Sequence, residues 1–139
     1  MSLSDTLHRA TVVWDADRDD LRAHTVHLAA QRLAASSAPE LGGDQEKADP
    51  EELFVASISA CHMLWFLDFS RRERLRVLSY SDEPEGLMDG RRFTRVVLRP
   101  AVEFDEGPEA DLVASLHERA HEACFIANSL SCPVEVRPR

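Results

Sequence analysis

The longest apolar stretch of the chain covers residues 53–69 and has no continuous polar stripe. Asp49 and Glu52 precede and open this stretch with the spacing of a capping box. Pro50 suits the first helical position, because its missing N–H would have no partner there. A helix that is apolar on all sides is typically buried. The pattern therefore predicts a long central helix that is buried on most sides.

Alternating apolar and polar residues predict short strands on both sides of this helix. The predicted strands lie at residues 9–14, 22–28, 31–35, 77–85, 94–104 and 134–136. A loop rich in Ser, Pro and Gly at 36–48 leads to the helix. Asp89 and Gly90 indicate a hairpin turn, and Pro100 should interrupt the strand around it.

Apolar residues recur every four positions from Leu112 to Cys124. This predicts a second, amphipathic helix that begins near Pro108 and ends near Asn128. The predicted order is β-β-(β)-α-β-β-α-β, an α+β fold in which an antiparallel sheet wraps around the central helix. No stretch resembles a linker, so we expect residues 1–139 to form a single domain.

The composition narrows the range of partners. The chain has 139 residues, of which 44% are hydrophobic and 29% charged, as in ordinary globular proteins. Its formal net charge of −9 argues against nucleic acid or an anionic membrane as partner. Ser57, Ser59, His62 and Asp68 lie within the apolar stretch, which favours a core helix over a membrane span. The beginning of the chain lacks a signal-peptide pattern, so we expect a cytoplasmic location.

Three cysteines are the first candidates for chemistry: Cys61, Cys124 and Cys132. An odd number in an expected reducing compartment argues against a structural disulfide, so any bridge should be a redox one. Cys61 and Cys124 fall on the predicted buried faces of the two helices. Helices that share a core pack together, so these thiols could meet within disulfide range. The alternative is that both are small buried apolar groups.

A metal centre is a rival hypothesis. His121 and Cys124 have the spacing of helical metal ligands, and His62 follows Cys61 directly. Adjacent helical residues point about 100° apart, however, so Cys61 and His62 can hardly bind one ion. We therefore expect no metal and no other cofactor.

Two motifs resemble those of the OsmC/Ohr family of thiol peroxidases. The first is Asp-Pro-Glu-Glu-Leu-Phe at 49–54, followed by Ala-Cys at 60–61. The second is Ala-His-Glu-Ala-Cys-Phe-Ile-Ala-Asn at 120–128. In the family, the first motif reads Asn-Pro-Glu-Glu/Gln-Leu before a run of small residues and Ala-Cys. The second reads Ala-His, a short gap and Cys, with Asn a few residues on. Both match in spacing, and the resemblance implies the OsmC-like fold.

The resemblance also implies roles for the residues that match the motifs. Cys61 would be the peroxidatic cysteine, Cys124 the resolving cysteine and Glu51 the catalytic glutamate. The family also uses an arginine that polarises the peroxide and holds the thiolate. Arg18 lies at the matching turn, although the glycines of the Ohr branch are missing there, and Arg22 is an alternative.

The implied reaction is reduction of a small-molecule hydroperoxide. The peroxide would oxidise Cys61 to a sulfenic acid, Cys124 would condense with it to a disulfide, and an external dithiol would reduce that bridge. Ile58, Leu64 and Trp65 lie on the same side of the helix as Cys61. They could form an apolar wall that favours organic hydroperoxides, with ordinary core packing as the alternative.

The resemblance and helix geometry both predict a homodimer. Glu51 and Cys61 are ten residues apart, about 15 Å along a straight helix. Two copies that pack their central helices antiparallel would bring Glu51 of one copy towards Cys61 of the other. A bend in the helix is the alternative.

The chain also departs from the family pattern. Phe125 stands where the family often has proline, residues 62–66 are bulkier than usual, and Cys132 matches no family position. An OsmC-like small-molecule binding or interaction module with little peroxidase activity therefore remains an alternative function.

Overall fold

A computed structural model of the protein describes residues 6–139. The chain forms two compact units, one that ends at Leu53 and one that comprises Phe54–Arg139. The boundary falls near the beginning of the central helix, α1, which covers Pro50–Arg72. The α+β fold class is confirmed, and the single domain over residues 1–139 remains a prediction.

The first unit contains a three-stranded antiparallel sheet in the order β1-β2-β3. Its strands are Thr11–Val13, His24–Leu28 and Gln31–Ala35. All three were predicted, and β3 has its predicted bounds. Short 3-10 turns follow β1 and β3, at Ala16–Arg18 and Pro39–Leu41.

The beginning of α1 is fixed by reciprocal hydrogen bonds between Asp49 and Glu52. The backbone N–H of Glu52 donates to Oδ1 of Asp49 at 2.7 Å, and the N–H of Asp49 donates to Oε1 of Glu52 at 3.0 Å. These bonds satisfy two backbone donors that a helix otherwise leaves free. The predicted capping box is confirmed.

The burial of α1 differs from the prediction. Its fully buried residues are Ile58, His62, Phe66 and Ser70, which form a single stripe with a spacing of four. Only 22% of its most apolar window is buried. The expectation of burial on most sides was therefore wrong for one copy of the chain, because the elements packed on α1 cover one face of the helix.

By length and composition alone, α1 could cross a membrane. It has 23 residues, and the mean hydropathy of its most apolar window is 1.5. Core helices of soluble proteins pass the same test. The absence of a membrane partner therefore remains a prediction.

Between the two helices the structure has four strands, where the sequence predicted two. They are β4 (Val77–Ser81), β5 (Glu85–Asp89), β6 (Arg92–Leu98) and β7 (Ala101–Phe104). The predicted strand at 77–85 is divided by residues 82–84, which belong to no strand. The carboxylate of Asp82 accepts bonds from Ser59 Oγ and the Arg99 N–H, both at 2.6 Å. Pro84, two residues on, cannot donate to a strand ladder.

The predicted hairpin and the predicted interruption are both present. Gly90 occupies the first position of the two-residue turn between β5 and β6 with φ +64°, a conformation that favours glycine. Pro100 separates β6 from β7.

The strands of the second unit form two sheets. β4 pairs with β7, while β5, β6 and β8 (Val134–Val136) form a three-stranded sheet. The pairs β4–β7 and β5–β6 are antiparallel, as predicted, while the pair β6–β8 is parallel. A parallel pair needs a long crossover, and the chain between these strands supplies one through the second helix.

The second helix, α2, covers Ala110–Ala123, so it ends five residues before the predicted Asn128. Cys124 is its C-cap and has extended backbone angles. Two buried clusters hold α1 in the second unit. Ile58 packs with Val96 and Leu98 of β6, and Phe66 packs with Leu116 and Ala120 of α2. Cys61 lies between these two anchor points on α1.

Candidate functional site

Two cysteine thiols meet where α1 faces the end of α2. Cys61, in the middle of α1, is half-buried, and Cys124 is 1% exposed. The two side chains lie close enough for Cys61 to raise the pKa of Cys124. Cys61, Cys124 and Cys132 are all free thiols. The structure therefore brings the two cysteines of the predicted redox pair near each other.

A compact turn holds Cys124 in this position. The N–H of Cys124 donates to the carbonyl of His121 at 3.3 Å, and the carbonyl of Cys124 accepts the N–H of Asn128 at 3.0 Å. The Asn128 side chain in turn donates to the carbonyl of Glu122 at 2.9 Å. The backbone N–H of Ala127 donates to the sulfur of Cys124 at 3.4 Å. Asn128, part of the second motif, thus ties the turn back to the last turn of α2.

Burial raises the pKa of the Cys124 thiol to about 11. The Ala127 N–H acts in the opposite direction, while the contact with Cys61 adds to the rise. Cys124 is therefore protonated at neutral pH. A protonated thiol is a poor nucleophile.

The predicted apolar wall is only partly formed. Ile58 is 0% exposed and belongs to the core cluster with Val96, so it cannot face a ligand, which corrects the prediction. Leu64 is 63% exposed. Trp65 is half-buried and meets Phe125 edge to face, with ring centroids 5.4 Å apart. The sequence marked Phe125 only as a departure from the family pattern and missed this contact.

A buried histidine pair lies beside the thiols and was also missed. Nε2 of His62 is 3.0 Å from Nδ1 of His117 on α2. Burial lowers the pKa of both imidazoles to about 4. The signal in the sequence was the spacing of four that puts His62 between Ile58 and Phe66 on one stripe. Within residues 6–139, no group of three or more His, Cys, Asp or Glu side chains is placed to hold a metal.

Glu51 and the two candidate arginines belong to the first unit. Nη2 of Arg18 donates to Oγ1 of Thr25 at 2.8 Å, and its Nε lies 3.7 Å from Oδ2 of Asp15. Arg18 also lines a groove of about 470 Å³ on the sheet β1–β3. Nε of Arg22 donates to the carbonyl of Leu41 at 2.7 Å, so a loop holds this side chain.

The carboxylate of Glu51 lacks a full set of partners. Its Oε2 is buried and, within the described part of the chain, accepts no hydrogen bond. A buried carboxylate oxygen normally has a donor. Association of Glu51 and an arginine with the thiol pair remains a prediction.

Cys132 packs in a hydrophobic cluster, separate from the other two thiols. It is half-buried and lies against the cluster of Ile58, Val96 and Leu98. It behaves there as a small apolar side chain.

Residues 42–139 match the sequence model of a family described as OsmC-like protein. A solved OsmC-like protein of unknown function from Vibrio cholerae is 35% identical, with a TM-score of 0.87; the similarity covers 96% of this chain and 99% of that one. No curated protein matches.

Two organic hydroperoxide resistance proteins share the fold at 20% identity. For the protein from Legionella pneumophila the TM-score is 0.72, and the similarity covers 97% of this chain and 96% of that one. The protein from Elizabethkingia anophelis has a TM-score of 0.70, with 96% of each chain covered.

Proposed function

Because this chain belongs to the OsmC-like family, we propose that it is a cysteine-dependent hydroperoxide reductase in which Cys61 reacts with the peroxide and Cys124 resolves the product. The observation that carries the proposal is the proximity of the two thiols, one in the middle of α1 and the other at the C-cap of α2. Two neighbouring thiols can close to a disulfide with little movement.

The proposed oxidation takes two steps, of which only the first consumes peroxide. The thiolate of Cys61 attacks one peroxide oxygen, the O–O bond breaks, and an alcohol leaves after protonation. Cys61 becomes a sulfenic acid, and the sulfur of Cys124 then attacks it, with loss of water, to form the disulfide. Two electrons from an external dithiol return both cysteines to thiols through a mixed disulfide.

Glu51 and Arg18 complete the proposed site. A guanidinium beside Cys61 would favour the thiolate and polarise the peroxide, and a carboxylate would orient that guanidinium through paired hydrogen bonds. Arg18 is preferred over Arg22, because it lies at the turn that matches the position of the family's arginine. The buried, unpaired oxygen of Glu51 supports a guanidinium as its partner.

We also propose that the working form is a cytoplasmic homodimer. On α1, beyond its buried stripe, Ala56, Ser57, Ala60 and Leu64 are exposed in the single copy. Small residues let helices approach closely, and an exposed apolar face is typical of an interface. A second copy of α1 packed against this face would bury it.

Counting thiols tests the function directly. The reduced protein should show three free thiols, and one equivalent of cumene hydroperoxide should leave one, that of Cys132. Cys61→Ser should abolish peroxide consumption, and Cys124→Ser should accumulate sulfenic and then sulfinic acid on Cys61. Cys132→Ser is the matched control and should keep full turnover. If the wild-type protein retains all three thiols in excess peroxide, it is not a peroxidase, and the binding-module alternative replaces this proposal.

A further inference from the structure

Two features bring α1 and the segment that follows α2 together. In one, the Cys61 thiol lies near enough to Cys124 to raise its pKa. The other joins Trp65 and Phe125, whose ring centroids are 5.4 Å apart with an interplanar angle of 89°. Cys61 and Trp65 are one helical turn apart, and Cys124 and Phe125 are adjacent. The aromatic contact therefore links the same two elements as the thiol pair, one turn further along α1.

Trp65 is a fixed side of this contact. Its ring stacks on Phe69 with centroids 5.4 Å apart. The guanidinium of Arg119, on α2, lies 4.6 Å from the centre of the Phe69 ring and pairs with Glu73 at 3.0 Å. Trp65 is thus braced by a ladder of side chains that connects the two helices.

Phe125 is the exposed side of the contact. It is 50% exposed and belongs to neither of the two buried core clusters. Core packing therefore gives little reason for a phenylalanine here. Its position in the turn gives a better reason. The carbonyl of Phe125 accepts the Ser129 hydroxyl at 2.8 Å, and the residue before Phe125 is the buried Cys124.

We propose that Phe125 is a positioning residue that, by packing on Trp65, holds Cys124 within reach of Cys61. The inference rests on the proposed function for its consequence, which is a choice between two reactions of the Cys61 sulfenic acid. Attack by the Cys124 sulfur forms the disulfide and releases water. Reaction with a second hydroperoxide forms the sulfinic acid and releases a second alcohol, and this step is irreversible without a dedicated enzyme. A higher effective concentration of Cys124 favours the first reaction.

The positioning effect can be measured without peroxide. In a Cys132→Ser background, the dithiol and disulfide forms are equilibrated in buffers of reduced and oxidised glutathione and quantified by mass spectrometry. Phe125→Ala and Trp65→Ala should each lower the equilibrium constant for disulfide formation roughly two- to tenfold, the range that an edge-to-face aromatic contact supports. The double variant should lose no more than one single variant, because the two substitutions remove the same contact. Leu78→Ala, on β4, removes a side chain of similar exposure, 48%, and should leave the constant unchanged.

A second measurement follows the fate of Cys61 in cumene hydroperoxide. Phe125→Ala should raise the ratio of sulfinic acid to disulfide by the same factor, while the rate of the first oxidation of Cys61 stays at the wild-type value. If Phe125→Ala does not fold, Phe125→Leu keeps the bulk without the aromatic edge and should give an intermediate shift.

An unchanged glutathione equilibrium in a folded Phe125 variant would overturn the proposal, as would additive losses in the double variant. These measurements distinguish failure of the positioning role from failure of the peroxidase function. If the wild-type protein forms the disulfide in glutathione and responds to Phe125→Ala but consumes no peroxide, the positioning role stands and the peroxidase function falls.

Discussion

The imidazoles of His62 and His117 form a buried pair between the two helices, with parallel rings and a nitrogen–nitrogen distance of 3.0 Å. One ring donates and the other accepts, and because burial lowers both pKa values to about 4, both rings are neutral at pH 7. Phe66 stacks on His117, with ring centroids 4.2 Å apart. The pair therefore occupies two positions in the packing of α1 on α2 that apolar residues would usually fill.

This pair predicts a loss of stability in acid. Burial lowers both pKa values from 6.5 to about 4; His117 and His121 add to the lowering at His62, while Asp82 opposes it at His117. The unfolded chain therefore binds more protons than the folded chain between these values, so stability is present above pH 6.5 and is lost as the pH falls towards 4. One histidine shifted this far accounts for about 3 kcal/mol, at about 1.4 kcal/mol per pKa unit.

Urea unfolding between pH 8 and pH 4.5 measures this loss. His117→Gln removes one of the two buried imidazoles and should flatten the pH dependence relative to the wild type, although it lowers stability at pH 8. Parallel curves for the two proteins would contradict the assignment.

The capping box should contribute measurably to stability. Asp49→Ala removes the acceptor of the Glu52 N–H and should lower the free energy of unfolding by about 1 kcal/mol. Glu52→Gln is the matched control, since a glutamine oxygen can still accept the Asp49 N–H and should leave stability nearly unchanged. Denaturant titrations of both variants would check this. Equal stability of Asp49→Ala and the wild type would show that the observed bonds contribute nothing net.

Substitution of Arg18 and of Arg22 should have different effects on the rate of Cys61 oxidation. Arg18→Lys loses the planar fork and should slow the first oxidation of Cys61 at least about tenfold, since a hydrogen bond to a charged group contributes roughly 1.5–3 kcal/mol. Arg22→Lys should keep nearly the wild-type rate, because its contact is with a loop carbonyl. Stopped-flow measurement of sulfenic acid formation distinguishes them. The opposite order would assign the site to Arg22.

Mixed dimers test the shared site. Glu51 and Cys61 are ten residues apart on α1, about 15 Å along a straight helix, so we expect Glu51 of one copy to serve Cys61 of the other. Glu51→Ala and Cys61→Ser proteins are inactive alone in this arrangement. In a mixed dimer both lesions fall in one site and the other site is intact, so activity should return on subunit exchange. Proven exchange without recovered activity would rule out the composite site.

The substrate should be an organic hydroperoxide. Trp65 presents aromatic surface one helical turn from Cys61, and each methylene that the site buries should raise catalytic efficiency about fourfold. Tert-butyl and cumene hydroperoxides should therefore exceed hydrogen peroxide in kcat/KM. The comparison needs the same reductant and the same pH for each peroxide. Equal or better efficiency with hydrogen peroxide would contradict this prediction.

Local sequence signals predicted the elements that depend on local physics. The capping box of Asp49 and the glycine turn at Gly90 were found because their hydrogen bonds and backbone angles are set by neighbouring residues. The parallel pairing of β6 with β8 was missed, since it depends on where α2 returns the chain. The Trp65–Phe125 contact and the histidine pair were missed for the same reason.

Burial was predicted least well. The all-apolar composition of α1 indicated a helix covered on most sides, but one copy of the chain buries only the stripe of Ile58, His62, Phe66 and Ser70. Hydropathy indicates which residues can be buried, but it does not show whether the surface that buries them belongs to the same chain or to a second copy. Spacing placed Cys61 and Cys124 on facing elements, although Cys124 proved to be a cap and not a helical residue.

The short strand β8 closes one edge of β6 in the folded protein. Its three residues cover the edge of β6 that β5 leaves open, next to the buried Val96, Val97 and Leu98. An apolar strand edge without a partner pairs readily with other chains. Since β6 is translated before β8, the nascent protein exposes this unpaired edge until α2 has folded back and β8 can pair with β6. Slow translation between the two strands would therefore promote aggregation, and substitutions that weaken β8 would reduce the yield of soluble protein before they reduce any activity.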